Sequence, residues 1–258
     1  MSRSTPTSVA LGLGWRQTRL LIKNPALFVP PMLFPLMSFL AFSGGLSRLR
    51  HVPGFDYSPG YAGFQFVFVL CQAAAFGGVF TGFGIARDFE NGFARRLLLA
   101  SPHRSGLIAG YALGALFRWS AVAVMLTVVA LVSGMKIGGD GIDLFGLYGL
   151  AFVVNVCGLL WAAGIAMRLR TIQAGPLMQT PVFMILFLSP VYVPLDLLRG
   201  WIHAVASVNP ITFIVTAGRS LLAGQTHDVG LALIVIAGLA IALGLWALRG
   251  LRSAETAA

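Results

Sequence analysis

The sequence is poor in the residues that soluble enzymes use for chemistry. It holds eight acidic residues, four histidines and two cysteines in 258. Cys71 and Cys157 lie inside apolar runs, with no C-x-x-C and no zinc-ligand spacing, so neither a disulfide framework nor a metal site is indicated. His51, His103, His203 and His227 are scattered through polar segments, and no H-E-x-x-H occurs. Lysine is as scarce as cysteine: only Lys23 and Lys136 occur, and neither follows a glycine. That excludes a G-x-x-x-x-G-K-[ST] phosphate cradle, so the chain has no such means of holding ATP. Every acid falls in a polar segment or at the end of an apolar run. A carrier driven by protons usually threads Asp, Glu or His through its spans, and this chain does not. The catalytic or metal-binding cluster that a membrane enzyme needs is also missing.

What remains is apolar. Hydrophobic residues make up 57% and charged residues 10%, with mean hydropathy +0.86. A soluble domain carries about a quarter charged residues, so the bilayer is the expected solvent. The net charge of +10 would suggest nucleic acid in a soluble protein. Here the cations sit in short segments between apolar runs, which is an orientation signal, and no nucleic-acid partner is expected.

The apolar runs divide the chain into six expected spans, 27–46, 62–86, 107–133, 144–167, 175–193 and 229–248. Each is near the ~20 residues a bilayer requires. No A-x-A-like site closes the first run, so residues 1–23 are expected to stay on the chain and inside the cell. Residues 9–24 read as an amphipathic helix, with Leu11, Trp15 and Ile22 on one face and Arg16, Arg19 and Lys23 beside it. In the second span Gly78 and Gly82 form a small-xxx-small pair that invites a close neighbour. Arg118 lies within the third span; its position suggests snorkelling to the interface or a wet cavity. Residues 195–225 are too polar to cross and too apolar for a plain loop. They read as helices at, or dipping into, the outer face, broken at Asn209-Pro210. With both termini inside, about twelve Lys/Arg are cytoplasmic and about five external, Arg118 set aside.

One segment between spans is densely charged: Arg87, Asp88, Glu90, Arg95, Arg96 and Arg104. Phe89, Phe93, Leu97 and Leu98 share a helical face there, and Ser101-Pro102 stops the helix. The expectation is a short helix over 88–101, beneath the membrane and offered to a soluble partner. Two aromatic stripes recur at helical spacing. Phe68, Gln72, Phe76 and Phe80 lie on the second span, and Gln179, Phe183 and Phe187 on the fifth.

Two stretches carry a family resemblance. Residues 81–118 hold Glu90, Gly92, Arg95, Arg96, Pro102 and Arg104. Residues 188–224 hold Pro190, Pro194, Trp201, Asn209-Pro210, Thr212, Arg219 and Gly224. The chain resembles the membrane subunit of a type-2 ABC exporter, particularly the daunorubicin-resistance-like permeases; His103 departs from the family form. The resemblance implies an all-α polytopic membrane protein, with 1–258 as a single transmembrane domain. It has six transmembrane helices, an N-terminal amphipathic helix, a cytoplasmic coupling helix and re-entrant or interfacial helices before the last span. It also implies a coupling site of Asp88, Glu90, Arg95, Arg96 and Arg104, docking in the ATP-binding subunit of the transporter. The chain would then carry no cofactor, with ATP and Mg on that partner. A second permease copy or sister permease, and membrane lipid, complete the implied partners. The implied substrate path runs along Phe68, Gln72, Phe76, Phe80, Gln179, Phe183 and Phe187, carrying a drug, antibiotic or lipid outward. The implied location is the plasma membrane of a bacterial cell. The alternatives are export of a polysaccharide or lipid-linked glycan by the same superfamily, and an integral membrane lipid enzyme.

Overall fold

The computed structural model describes residues 5–100 and 104–255; the side chains of 26–28, 30, 50, 98–100, 104, 105 and 255 are not among those described. Every regular element among the described residues is helical. In order these are α1 (Pro6–Lys23), α2 (Pro25–Gly45), α3 (Gly60–Glu90), α4 (Phe93–Ala100), α5 (Arg104–Val132), α6 (Gly141–Leu169), α7 (Gly175–Phe187), α8 (Gly200–Val208), α9 (Pro210–Leu222) and α10 (Val229–Glu255).

Helix α3 is the axis of the bundle. Nearly every side chain from Tyr61 to Val79 is buried. Its glycines explain why α6 packs on it most extensively. A Cβ at Gly78 or Gly82 would overlap Asn155, Leu159 or Ala162, and one at Gly158 would overlap the Ala75 carbonyl. Lipid offers no hydrophobic gain for helix pairing, so such close backbone approach supplies the contact. Asn155 adds a buried bond, donating from Nδ2 to the Ala74 oxygen at 2.8 Å. By contrast α5 and α10 expose apolar faces, with Val124, Val128 and Val132 on one and Ile234, Ile241 and Leu245 on the other. Those faces suit contact with lipid tails.

Among the described residues four helices are long and apolar enough to cross a membrane: α3, α5, α6 and α10. Helices α8 and α9 meet at 81° and form a further apolar stretch, broken in the middle. Two shorter apolar stretches, Pro31–Gly45 and Ile172–Phe187, stand where two more spans are expected. Helix α7 is shorter than expected: it stops at Phe187 instead of running to 193. Pro190 and Pro194 account for this, because proline donates no N–H and disfavours helix in the residue before it. At about 1.5 Å per residue, α7 reaches only about 20 Å of a ~30 Å core.

The broken backbone after α7 is held by side chains. Asn209 accepts from the Ile211 N–H at 2.9 Å, capping α9, and its Nδ2 donates to the Ile185 oxygen at 2.6 Å. The buried Arg219 guanidinium donates to the carbonyls of Pro190 (2.8 Å), Phe64 (3.2 Å) and Val191 (3.4 Å). It also lies 3.3 Å from the centre of the Phe64 ring. The carbonyls that the prolines free are thus satisfied inside the protein, which irregular backbone at depth requires.

Candidate functional site

The site is the end of the bundle where α1, α3, α4 and α5 converge. Two of these helices, α1 and α5, meet through glycine. Along α5, Gly106, Gly110 and Gly114 repeat at four-residue spacing, which puts them on one stripe. A Cβ at these positions would come within 2.6 Å of the Pro6 oxygen, 2.7 Å of Leu13 Cβ and 2.6 Å of Gln17 Cβ, respectively. Helix α1 therefore lies directly against α5. Its other face remains outward, with Leu11, Trp15 and Ile22 about two-thirds exposed.

Against that scaffold sits Asp88, in the last turn of α3 and buried. Arg16 grips it bidentately, Nη1 to Oδ2 at 2.9 Å and Nη2 to Oδ1 at 2.8 Å. Tyr111 of α5 donates its hydroxyl to Oδ2 at 2.8 Å, and Gln17 of α1 donates Nε2 at 3.4 Å. One carboxylate therefore binds α1, α3 and α5 together. Bidentate guanidinium–carboxylate pairs fix geometry as well as adding energy. The same Arg16 guanidinium lies 3.8 Å over the Phe93 ring, reaching the first residue of α4.

Helix α4 is shorter than the expected 88–101. Asp88 and Glu90 continue α3, and Gly92, at φ +68°, turns the chain before Phe93. A left-handed glycine after the last helical turn is a common stop. Ser101, Pro102 and His103 lie outside the described residues. The apolar face of α4 does not point outward, as docking through that face requires. Ala94 is buried, and Phe93 and Leu97 are half-buried against Ile85, Leu107 and Leu251, closing over an apolar cavity of about 40 Å³. A lone amphipathic helix loses less by covering that stripe on its own bundle. What α4 presents outward is Arg95 and Arg96, both exposed.

The remaining expected coupling residues separate. Glu90 is exposed and binds within the chain, accepting from Thr171 Oγ1 and the Ile172 N–H, both at 2.8 Å. These two bonds, the backbone one first, hold its carboxyl below the usual carboxylate range. They join the end of α3 to the turn before α7. The Arg104 side chain lies outside the described residues. Farther along that end, Arg168 spans α6 and α10, donating to the Gly164 and Trp246 carbonyls at 2.7 and 3.1 Å.

The two aromatic stripes do meet. Phe68 packs on Phe187 (5.8 Å between centroids), Phe76 on Phe183 (6.1 Å), and Phe183 stacks on Phe187 (4.4 Å). Phe34 of α2 joins at Phe76, and Phe80 continues the row toward Phe83. Phe68, Gln72 and Phe76 are fully buried in this seam, so a solute reaches them only if α7 moves. Neither amide atom of Gln72 has a partner. Phe183 and Gln179 are more accessible, lining an open cavity of about 390 Å³ with Phe83, Gly175, Pro176 and Thr180.

Residues that pattern reading passed over include Tyr111 and Thr171, because a Tyr in a span and a Thr in a turn carry no periodic signal. Gly106, Gly110 and Gly114 were legible as a four-residue repeat. Among the described residues no group of three or more His, Cys, Asp or Glu could hold a metal.

The fold and site define an all-helical polytopic membrane protein with a tied polar helix cluster at one end. Residues 10–223 match the ABC-2 type transporter family. The chain belongs to that family, as a membrane-embedded transporter permease. It is similar to the daunorubicin resistance ABC transporter permease protein DrrB1 of Streptomyces coeruleorubidus. The two are 26% identical over 245 residues, covering 92% of this chain and 84% of the relative.

Proposed function

We propose that the chain is the six-span permease subunit of an ATP-driven exporter, with α2 and α7 completing the count. Its fuel comes from a separate ATP-binding subunit that carries ATP and Mg. That subunit meets the chain at α4 on the cytoplasmic side, where both termini also lie. A second permease copy or sister permease completes the path, and the cargo is a hydrophobic or amphipathic compound.

The observation that carries this reading is the Asp88 junction. Helix α4 touches Arg16, Arg16 holds Asp88, and Asp88 ends the central helix α3. A push on α4 is therefore delivered to the axis of the bundle through short, charge-assisted bonds. The exposed Arg95 and Arg96 suit an acidic rim on the partner and would steer its approach. On the far side of α3, the aromatic seam with α7 is the element that such a movement would open. Its rings and sparse amides match a large, flat, amphipathic solute.

The test is export into everted vesicles that contain this chain, its partner permease and the ATP-binding subunit. Transport of a fluorescent amphipathic dye should require that subunit and ATP, and should fall at least tenfold in Arg95→Glu/Arg96→Glu. Transport indifferent to the subunit or to the double substitution would discard the coupling.

A further inference from the structure

Arg118 sits near the middle of α5 and forms no salt bridge among the described residues. Its Nε and Nη1 are buried and have no hydrogen-bond partner. Trp119 Nε1, on the neighbouring residue, is likewise buried without an acceptor. Buried donors are almost always paired, and an ionisable group inside a membrane is rare enough to mark a function. The chain's own acids do not answer the charge. Asp88 is already gripped by Arg16, Gln17 and Tyr111. Asp56, Glu90, Asp140, Asp143, Asp196, Asp228 and Glu255 lie in turns or at helix ends, so a second copy of the chain would bring no carboxylate to this depth either.

Arg118 instead lines a cavity of about 300 Å³ between α1, α2, α3 and α5. At the α4 end the wall is polar, with Arg87 and Asp88; the rest is apolar, from Leu20, Pro31, Phe80 and Phe83. Arg87 is exposed and lies near Glu90, and Asp88 is committed to Arg16, so neither answers the charge of Arg118 within the cavity. A smaller pocket of about 10 Å³ adjoins Arg118 and Trp119, about the size of one water.

The geometry points to a binding site for the oxyanionic head of an amphiphile, a phosphate or carboxylate held by Arg118 with its apolar body against Phe80 and Phe83. A guanidinium matches such a head bidentately and keeps its charge at any working pH. A neutral oxygen can accept from these donors but leaves the buried charge of Arg118 uncompensated. The site is independent of ATP. As a lipid site it needs only a membrane-embedded chain; as a cargo site it rests on the export reading. It lies at the α4 end of the aromatic seam, since Phe80 and Phe83 belong to both.

The full-length chain in a neutral maltoside detergent tests this by titration. The probes are phosphatidylglycerol against diacylglycerol, which differ in the phosphate-bearing head, and dodecyl phosphate against dodecanol. Each phosphate-bearing probe that binds should bind at least tenfold more tightly than its neutral counterpart. Arg118→Gln should remove that preference. Gly84→Leu provides the second variant: Gly84 lines the cavity and a Cβ there meets nothing within 4 Å. The larger side chain should occlude the site while leaving the unfolding temperature unchanged, so it carries the test if Arg118→Gln fails to fold. Preference for phosphatidylglycerol alone identifies a membrane lipid as occupant. Displacement of phosphatidylglycerol by dodecyl phosphate identifies a site open to single-chain cargo. No preference in the unmodified chain, full preference in either folded variant, or inorganic phosphate binding as tightly as dodecyl phosphate overturns the proposal. Because no ATP-binding subunit is present, such a failure leaves the coupling reading standing.

Discussion

Replacing Asp88 by Asn should uncouple α1 from α3 without unfolding the bundle. The side chain keeps its shape but loses its charge, and the amide nitrogen would face the donors of Arg16 and Tyr111. A hydrogen bond to a charged group contributes about 1.5–3 kcal/mol, and breaking a fully buried pair costs about 3–5 kcal/mol. The Asp88 side chain is 9% exposed but that of Arg16 is 33% exposed, which weakens the pair toward the surface case. We therefore expect a loss of about 2 kcal/mol. The α1–α5 glycine seam is untouched, so the loss should be local. A double-mutant cycle with Arg16→Gln isolates the pair, with a coupling of about 1–2 kcal/mol expected. Stability is read by denaturant unfolding in detergent, and local release by the mobility of a nitroxide at Arg19→Cys. Cys71 and Cys157 are buried, so a single introduced thiol should label cleanly. Additive effects, with no rise in mobility in Asp88→Asn, would refute the keystone role.

Other perturbations follow from the same geometry. Glu90 has a depressed folded pKa, so its contribution is fully present above the unfolded value of about 4.3 and is lost as pH falls through the folded value. A nitroxide at Gln173→Cys should thus be immobile at neutral pH and loosen only as the pH falls below the unfolded value; in Glu90→Ala, which removes the acceptor, it should be loose throughout. Gly110→Leu forces a side chain into Leu13 and should cost about 1–3 kcal/mol by overpacking, read as unfolding at lower denaturant. Arg219→Met leaves the Pro190, Phe64 and Val191 carbonyls unsatisfied, and we expect a loss of about 3 kcal/mol. Lysine should not restore it fully, lacking the planar fork.

The long helices were readable because a bilayer demands runs of apolar residues, and α3, α5, α6 and α10 supply them. Their ends differ from the apolar boundaries because helices outlast the hydrophobic core: α3 continues through Asp88 and Glu90 into polar surroundings. The early end of α7 is legible in Pro190, but a hydropathy reading carries the span past it to 193. Site residues were harder. Asp88 and Glu90 announced themselves by charge, yet their partners, Arg16 and Thr171, lie 72 and 81 residues away along the chain. Periodicity reports which face a residue occupies, not what stands opposite. That is also why the spacing of Phe93 and Leu97 on one face of α4 does not reveal that the face packs inward. Arg118 was visible as a charge in an apolar run; only the packed structure shows that its donors are buried without partners.

Contact between α4 and a nucleotide hydrolase is the most direct test of ATP-driven coupling through this chain. Arg95 and Arg96 are exposed, so Arg95→Cys and Arg96→Cys can each carry a short photoactivatable crosslinker in native membranes. The expected result is capture of an ATP-binding subunit from the cytoplasmic side, with the yield changing when ATP is bound. Labelling of either position by an impermeant thiol reagent added outside intact cells, or crosslinks that never reach an ATP-binding subunit, would contradict it.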